Sequence, residues 1–91
     1  MSNITGGIMM KVKQNAEKGN IGVNIRKFRK MNGLTQEQTA ARLQLRGIRT
    51  SRGSYSHIEC GLGNIRVEEL IGLAEIFHTG IADFFEGITL S

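Results

Sequence analysis

Residues 34–61 read LTQEQTAARLQLRGIRTSRGSYSHIECG, and two short helices are encoded there. Thr35 and Gln38 form a capping-box pair: the threonine hydroxyl accepts the free amide at the third helical position, and the glutamine reaches back to the cap amide. A helix is expected to start at Thr35. Along it Ala40 and Leu43 share one face at helical spacing, while Gln36, Glu37, Ala41 and Arg42 turn elsewhere. Ala40 is small where a second helix must cross closely. That second helix is expected from Ser51, an N-cap residue, to just before Gly61, the residue type that most easily takes a left-handed conformation at a helix exit. Tyr55 and Ile58, three apart, point inward. Arg52, Gly53, Ser56 and His57 are left facing out, a set able to donate to base edges and phosphates.

LTQEQTA, then SHIE, then a glycine two residues past the acid resemble the lambda-repressor-like helix-turn-helix family, also called Cro or XRE. The resemblance covers about residues 21–85, and the order of elements matches throughout. It implies an all-α, compact five-helix domain over residues 21–91, preceded by a flexible N-terminal arm over residues 1–20. It further implies sequence-specific binding of double-stranded DNA by a transcriptional regulator, in the simplest case a repressor, with a recognition helix at about residues 51–60 in the major groove. Arg52 is then the first candidate base reader, with Ser56 and His57 next and Gly53 and Ser54 beside them. Gln36 takes the place of a family residue that contacts phosphate or supports the reader. Arg42, Arg46, Arg49, Asn64 and Arg66 are expected on the sugar-phosphate backbone. The resemblance also pairs Arg29 with Glu59, tying the first helix to the third. Family members include antitoxins and adaptors, so a protein-interaction module using the C-terminal apolar surface is the alternative reading.

Composition agrees with this class. Ninety-one residues suffice for one small domain, 40% hydrophobic and without proline or tryptophan. So small a domain is marginally stable alone, and a homodimer is expected. The net charge is +4, but all 12 lysines and arginines lie at or before Arg66, where only three of the eight acids fall. Residues 1–66 therefore carry +9 and residues 67–91 carry −5. A chain polarised this way presents a basic face to a polyanion. One cysteine, Cys60, excludes an intramolecular disulfide and fits a reducing compartment, and no apolar run approaches membrane-spanning length. The expected location is the cytoplasm, on bacterial or phage DNA.

Outside the central stretch, Ile21, Ile25 and Phe28 form the stripe of a first helix over residues 21–32, ended by Asn32 and Gly33. Residues 62–65 read as a loop leading into a fourth helix over about residues 66–78, with Glu68 and Glu69 in its first turn and Leu70, Leu73, Ala74 and Phe77 buried. Ile81, Phe84 and Phe85 mark a short fifth helix, and Ile88 and Leu90 extend that apolar surface. Lysines 11, 13 and 18 would let the arm lie along DNA.

The chain departs from the family pattern in the turn. Family spacing places the inward apolar residue of the recognition helix at residue 50, whereas here it is Tyr55, so the connection in residues 44–50 is longer by five. Arg46 and Arg49 flank Gly47 there, with Leu45 and Ile48 as expected anchors to the core. The segment either adds phosphate contacts or is a tolerated surface insertion. Thr39 stands where the family prefers a large apolar residue, so looser packing is expected at that site. Gly53 costs roughly 1 kcal/mol of helix propensity against alanine, and a close phosphate approach would explain it.

Catalysis and cofactors find no support. His57 and Cys60 are three apart but supply only two ligands, short of a zinc site, and His78 lies on a different helix. No phosphate-binding glycine loop or paired carboxylates are evident, and Ser, His and Glu in SYSHIE are explained by helix positions.

Overall fold

The computed structural model describes residues 11–13, 20–62 and 64–88. Strand β1 (Lys11–Lys13) is followed by α1 (Ile21–Met31), α2 (Gln36–Leu45), α3 (Arg52–Glu59), strand β2 (Asn64–Arg66), α4 (Val67–Phe77) and a 3-10 helix (Ile81–Phe85). Ile25, Leu43, Tyr55, Ile65, Leu73 and Phe84 are fully buried together and form the centre of one core. Phe84 meets Phe28 and Phe77 edge-on, at 5.7 and 6.5 Å between ring centroids.

Each α-helix ends in the same way. Beyond α1, α2 and α3, Gly33, Gly47 and Gly61 take φ of 68°, 78° and 78°. The residue after each glycine donates back to a carbonyl five positions earlier: Leu34 to Arg29, Ile48 to Leu43, and Leu62 to His57. These are Schellman motifs, which satisfy carbonyls the helix leaves free. Helix α4 ends likewise, Thr79 donating to Ala74, but its left-handed residue is His78 at φ 56°.

Helix starts are as specific. Asn20 caps α1 by accepting from the Val23 amide at 3.3 Å. Thr35 and Gln38 make the expected capping box at 3.0 and 2.9 Å. Ser51 caps α3, accepting from the Ser54 amide at 3.1 Å. Two glycines have packing roles that periodicity does not show. A Cβ on Gly22 would run into the Ile58 and Glu59 carbonyl oxygens, so α1 crosses α3 backbone to backbone. A Cβ on Gly72 would lie 2.5 Å from Ile48 Cδ1, so α4 makes the notch that receives the turn.

Several expectations need correction. There are four α-helices among the described residues, and the fifth helix is a 3-10 segment of five residues. It stays short because Asn24 Nδ2 binds the Phe84 and Glu86 carbonyls at 2.8 and 2.9 Å, after which Gly87 at φ 79° turns the chain. The loop at residues 62–65 is partly strand: β2 pairs antiparallel with β1, Val12 opposite Ile65, so this part of the expected arm is tied down. Residues 1–10 and 14–19, including Lys18, lie outside the described residues, as does Leu90. Leu45 is 86% exposed and anchors nothing, because two residues past Leu43 it points to the opposite side of α2. Ile48 alone packs on the core there, and Ile88 packs inward too. Thr39 is fully buried, its hydroxyl donating to the Thr35 carbonyl at 2.9 Å.

His78 is exposed and needs no side chain to hold the α4 exit, whereas a left-handed conformation is costly for any residue with a Cβ. His78→Gly is expected to stabilise the domain by about 0.5–1 kcal/mol, a rise of a few degrees in Tm by circular dichroism.

Candidate nucleic-acid interface

Helix α3 is fixed by its inner face. Tyr55, Ile58 and Glu59 are buried, while Arg52, Gly53, Ser54 and His57 are exposed and Ser56 is half-buried. The outer face is continuous and polar. Gly53 meets only Ser51 Oγ, 3.9 Å from where a Cβ would sit, so nothing within the fold requires a glycine there.

Glu59 is the buried end of an ion pair. Arg29 Nε and Nη2 donate to its two oxygens at 2.6 and 3.0 Å, a bidentate fork. Gln36 Nε2 donates to Oε1 at 3.1 Å, and the Tyr55 hydroxyl donates to Oε2. The third nitrogen of Arg29 is used too, Nη1 donating to the Leu34 carbonyl at 2.8 Å. Burial raises the carboxyl pKa, but the bonds from Arg29, Tyr55 and Gln36 outweigh it and hold Glu59 below the usual carboxylate range. Burial first, then the bond to Glu59, drives the Tyr55 hydroxyl upward, so it remains a donor. The hydrogen bond to Glu59 raises the Arg29 pKa against the opposing effect of burial.

Gln36 therefore reaches inward to the α3 node from the start of α2. Arg46 lies against α4, its Nε 3.2 Å from Glu75 Oε1. That pair is exposed at both ends, a setting in which ion pairs contribute about 0–1 kcal/mol, so the charge is not locked away. Arg66 is more engaged: Nη1 is 3.1 Å from Glu68, Nη2 is 3.3 Å from Glu69, and Nη2 also donates to the Arg49 carbonyl. Arg49 and Arg52 have no acidic partner among the described residues. Asn64 is exposed on β2, next to Arg66, and lines a recess with Arg49, Ser54 and Arg66. The structure thus gathers Arg49, Ser54, Asn64 and Arg66 at the start of α3, apart from the inward-turned Gln36 and the α4-facing Arg46. Sequence reading missed Asn20, Gly22 and the second use of Arg66; only Asn20, an N-cap residue type directly before the Ile21 stripe, carried a visible signal.

A cap-defined pair of helices, a buried glutamate locking the second one and a polar outward face with unpaired arginines are the features of a helix-turn-helix. The helix-turn-helix family model matches residues 25–84. The chain belongs to that family in its Cro/C1-type, lambda-repressor-like form, a family of DNA-binding domains. A comparison with curated proteins gave no match. No helix among the described residues is long and apolar enough to cross a membrane, and none of them form a cluster of three or more metal-ligating side chains.

Glu59→Ala leaves Arg29, whose side chain is only 11% exposed, without its counterion. The expected loss is about 3–5 kcal/mol in urea unfolding, as for other broken buried pairs. Because the folded carboxyl is held low, the stability it contributes is present above the unfolded glutamate pKa of about 4.3 and is lost as pH falls through the lower folded value. Glu59→Gln should flatten that acid limb, and an unchanged limb would contradict the assignment.

Proposed function

We propose that this chain is a sequence-specific regulator that binds double-stranded DNA and represses transcription by occupying its site. The observation that carries the reading is α3: an inner face locked at Glu59 and an outer face offering Arg52, Gly53, Ser54, Ser56 and His57. Such a helix enters the major groove as a rigid unit. Arg52, with no acid partner among the described residues, is the base reader, able to bridge guanine O6 and N7. His57 and Ser56 contact neighbouring edges or phosphates, and Gly53 allows the DNA backbone to come close. Arg46, Arg49 and Asn64 supply backbone contacts, and Gln36 supports α3 from within. The exposed Ile81 and Phe85 of the 3-10 helix are the surface for a second copy, giving a homodimer that reads a palindrome in the cytoplasm of a bacterial or phage-infected cell.

Selection from a random duplex pool at physiological salt, followed by anisotropy titration of the winner against its scrambled counterpart, tests this. A palindrome with half-sites about one helical turn apart is expected. Weak, salt-sensitive binding to every sequence would overturn the reading and turn attention to a protein partner at the C-terminal surface. Within a selected site, Arg52→Ala is expected to relax preference at one base position, losing about 1–3 kcal/mol of discrimination there. If the preference profile stays intact, Arg52 is not the reader.

A further inference from the structure

The turn between α2 and α3, residues 46–51, is held in both of its halves. Its first half is a Schellman exit in which Ile48 donates to the Leu43 carbonyl and drops its side chain into the notch at Gly72. Its second half is held by two side chains from opposite sides. Gln44 Nε2, on α2, binds the Thr50 carbonyl at 2.8 Å, and Arg66 Nη2, at the end of β2, binds the Arg49 carbonyl. The carbonyls of two successive peptides, Arg49–Thr50 and Thr50–Ser51, are thus held, while the Arg49 side chain is exposed and has no partner among the described residues. An arginine on a fixed backbone loses less freedom on meeting a phosphate than one on a loose loop. Arg66 is the reverse case. Its guanidinium faces Glu68, Glu69 and the Arg49 carbonyl, so two carboxylates already offset its one charge.

Resting on the DNA-binding reading, we infer that the extended turn is a preformed clamp for the DNA backbone in which Arg49 is the phosphate ligand and Arg66 a positioning residue. Arg49 reaches one phosphate at the mouth of the recess it shares with Ser54, Ile58, Asn64, Arg66 and Glu69, the last of which is offset by Arg66. Arg66 gives up its own charge to its acidic neighbours and aims Arg49 through the carbonyl it holds. The contact is independent of base sequence and adds one released counterion to the binding equilibrium.

The test is the slope of log affinity against log salt, measured by anisotropy on the selected duplex and on its scramble. The variants are Arg49→Ala, Arg66→Lys and the double substitution. Arg66→Lys keeps the charge opposite Glu68 and Glu69 but loses the planar fork that puts Nη1 on Glu68 and Nη2 on both Glu69 and the Arg49 carbonyl. Arg49→Ala should reduce the slope by about one unit on both duplexes. Arg66→Lys should lower it by a comparable amount, and the double variant should lose no more than Arg49→Ala alone, because both act on one contact. Thermal melts establish that each variant is folded, and a merely structural effect of Arg66 would lower Tm without touching the slope. An unchanged slope in Arg49→Ala removes the clamp. An unchanged slope in Arg66→Lys overturns its positioning role, and losses that add to about two units in the double variant overturn it by making Arg66 an independent ligand. A wild-type chain that binds neither duplex overturns the DNA-binding reading itself, a result distinct from any of these.

Discussion

Glu59 is charged, almost wholly enclosed and placed where three helices converge, and the pose of α3 depends on how that charge is satisfied. A bare carboxylate in such a position would be too costly to keep. It is kept because Arg29 reaches it from α1, Gln36 from α2 and Tyr55 from its own helix, one turn earlier. Any displacement of α3 breaks charge-assisted bonds in a medium of low dielectric, where they are strongest. Apolar packing at Tyr55 and Ile58 would hold the helix against the core but would leave its rotation less sharply defined. The polar node fixes the direction in which the outer face points.

A second set of constraints acts at the other end of α3. The charge segregation along the sequence becomes, in three dimensions, a boundary where basic and acidic halves meet: Arg46 with Glu75, and Arg66 with Glu68 and Glu69. Arg66 is neutralised on this boundary and structural in effect, the exposed Arg46–Glu75 pair leaves Arg46 loosely held, and Arg49 and Arg52 beyond it have no acidic partner among the described residues. Glu69 is the pivot. It receives the Arg66 amide at 2.8 Å as a helix cap and the Arg66 guanidinium as an ion pair, so it secures the start of α4 and the side chain that holds the turn.

How much could be read beforehand follows from the range of each interaction. Capping signals act over three or four residues, so Thr35, Gln38, Ser51, Gly33 and Gly61 were legible and mark real helix ends. The stripes of α1 and α4 are legible for the same reason. The exposure of Leu45 is not legible, because hydrophobicity says nothing of direction and the sequence leaves the end of α2 open within residues 44–50. The β1–β2 ladder was illegible: three-residue strands have no usable period, and their pairing spans about half the chain. The fifth helix was read from its apolar residues, but its form is set by Asn24, sixty positions away from the Phe84 carbonyl it binds. At the candidate site, residue types pointed to the outer face of α3, whereas which arginines are free could only come from the ion pairs formed across elements.

The glycine at position 22 has a wider consequence. Where two helices touch through side chains, their spacing changes whenever either is repacked. Here the contact is between the backbone of α1 and the terminal carbonyls of α3, which are the same for every amino acid. The separation of the two helices is therefore insensitive to the side chains on the exposed face of α3. A lineage carrying this crossing can rewrite the chemistry it displays to the outside, residue by residue, while the platform beneath stays in register.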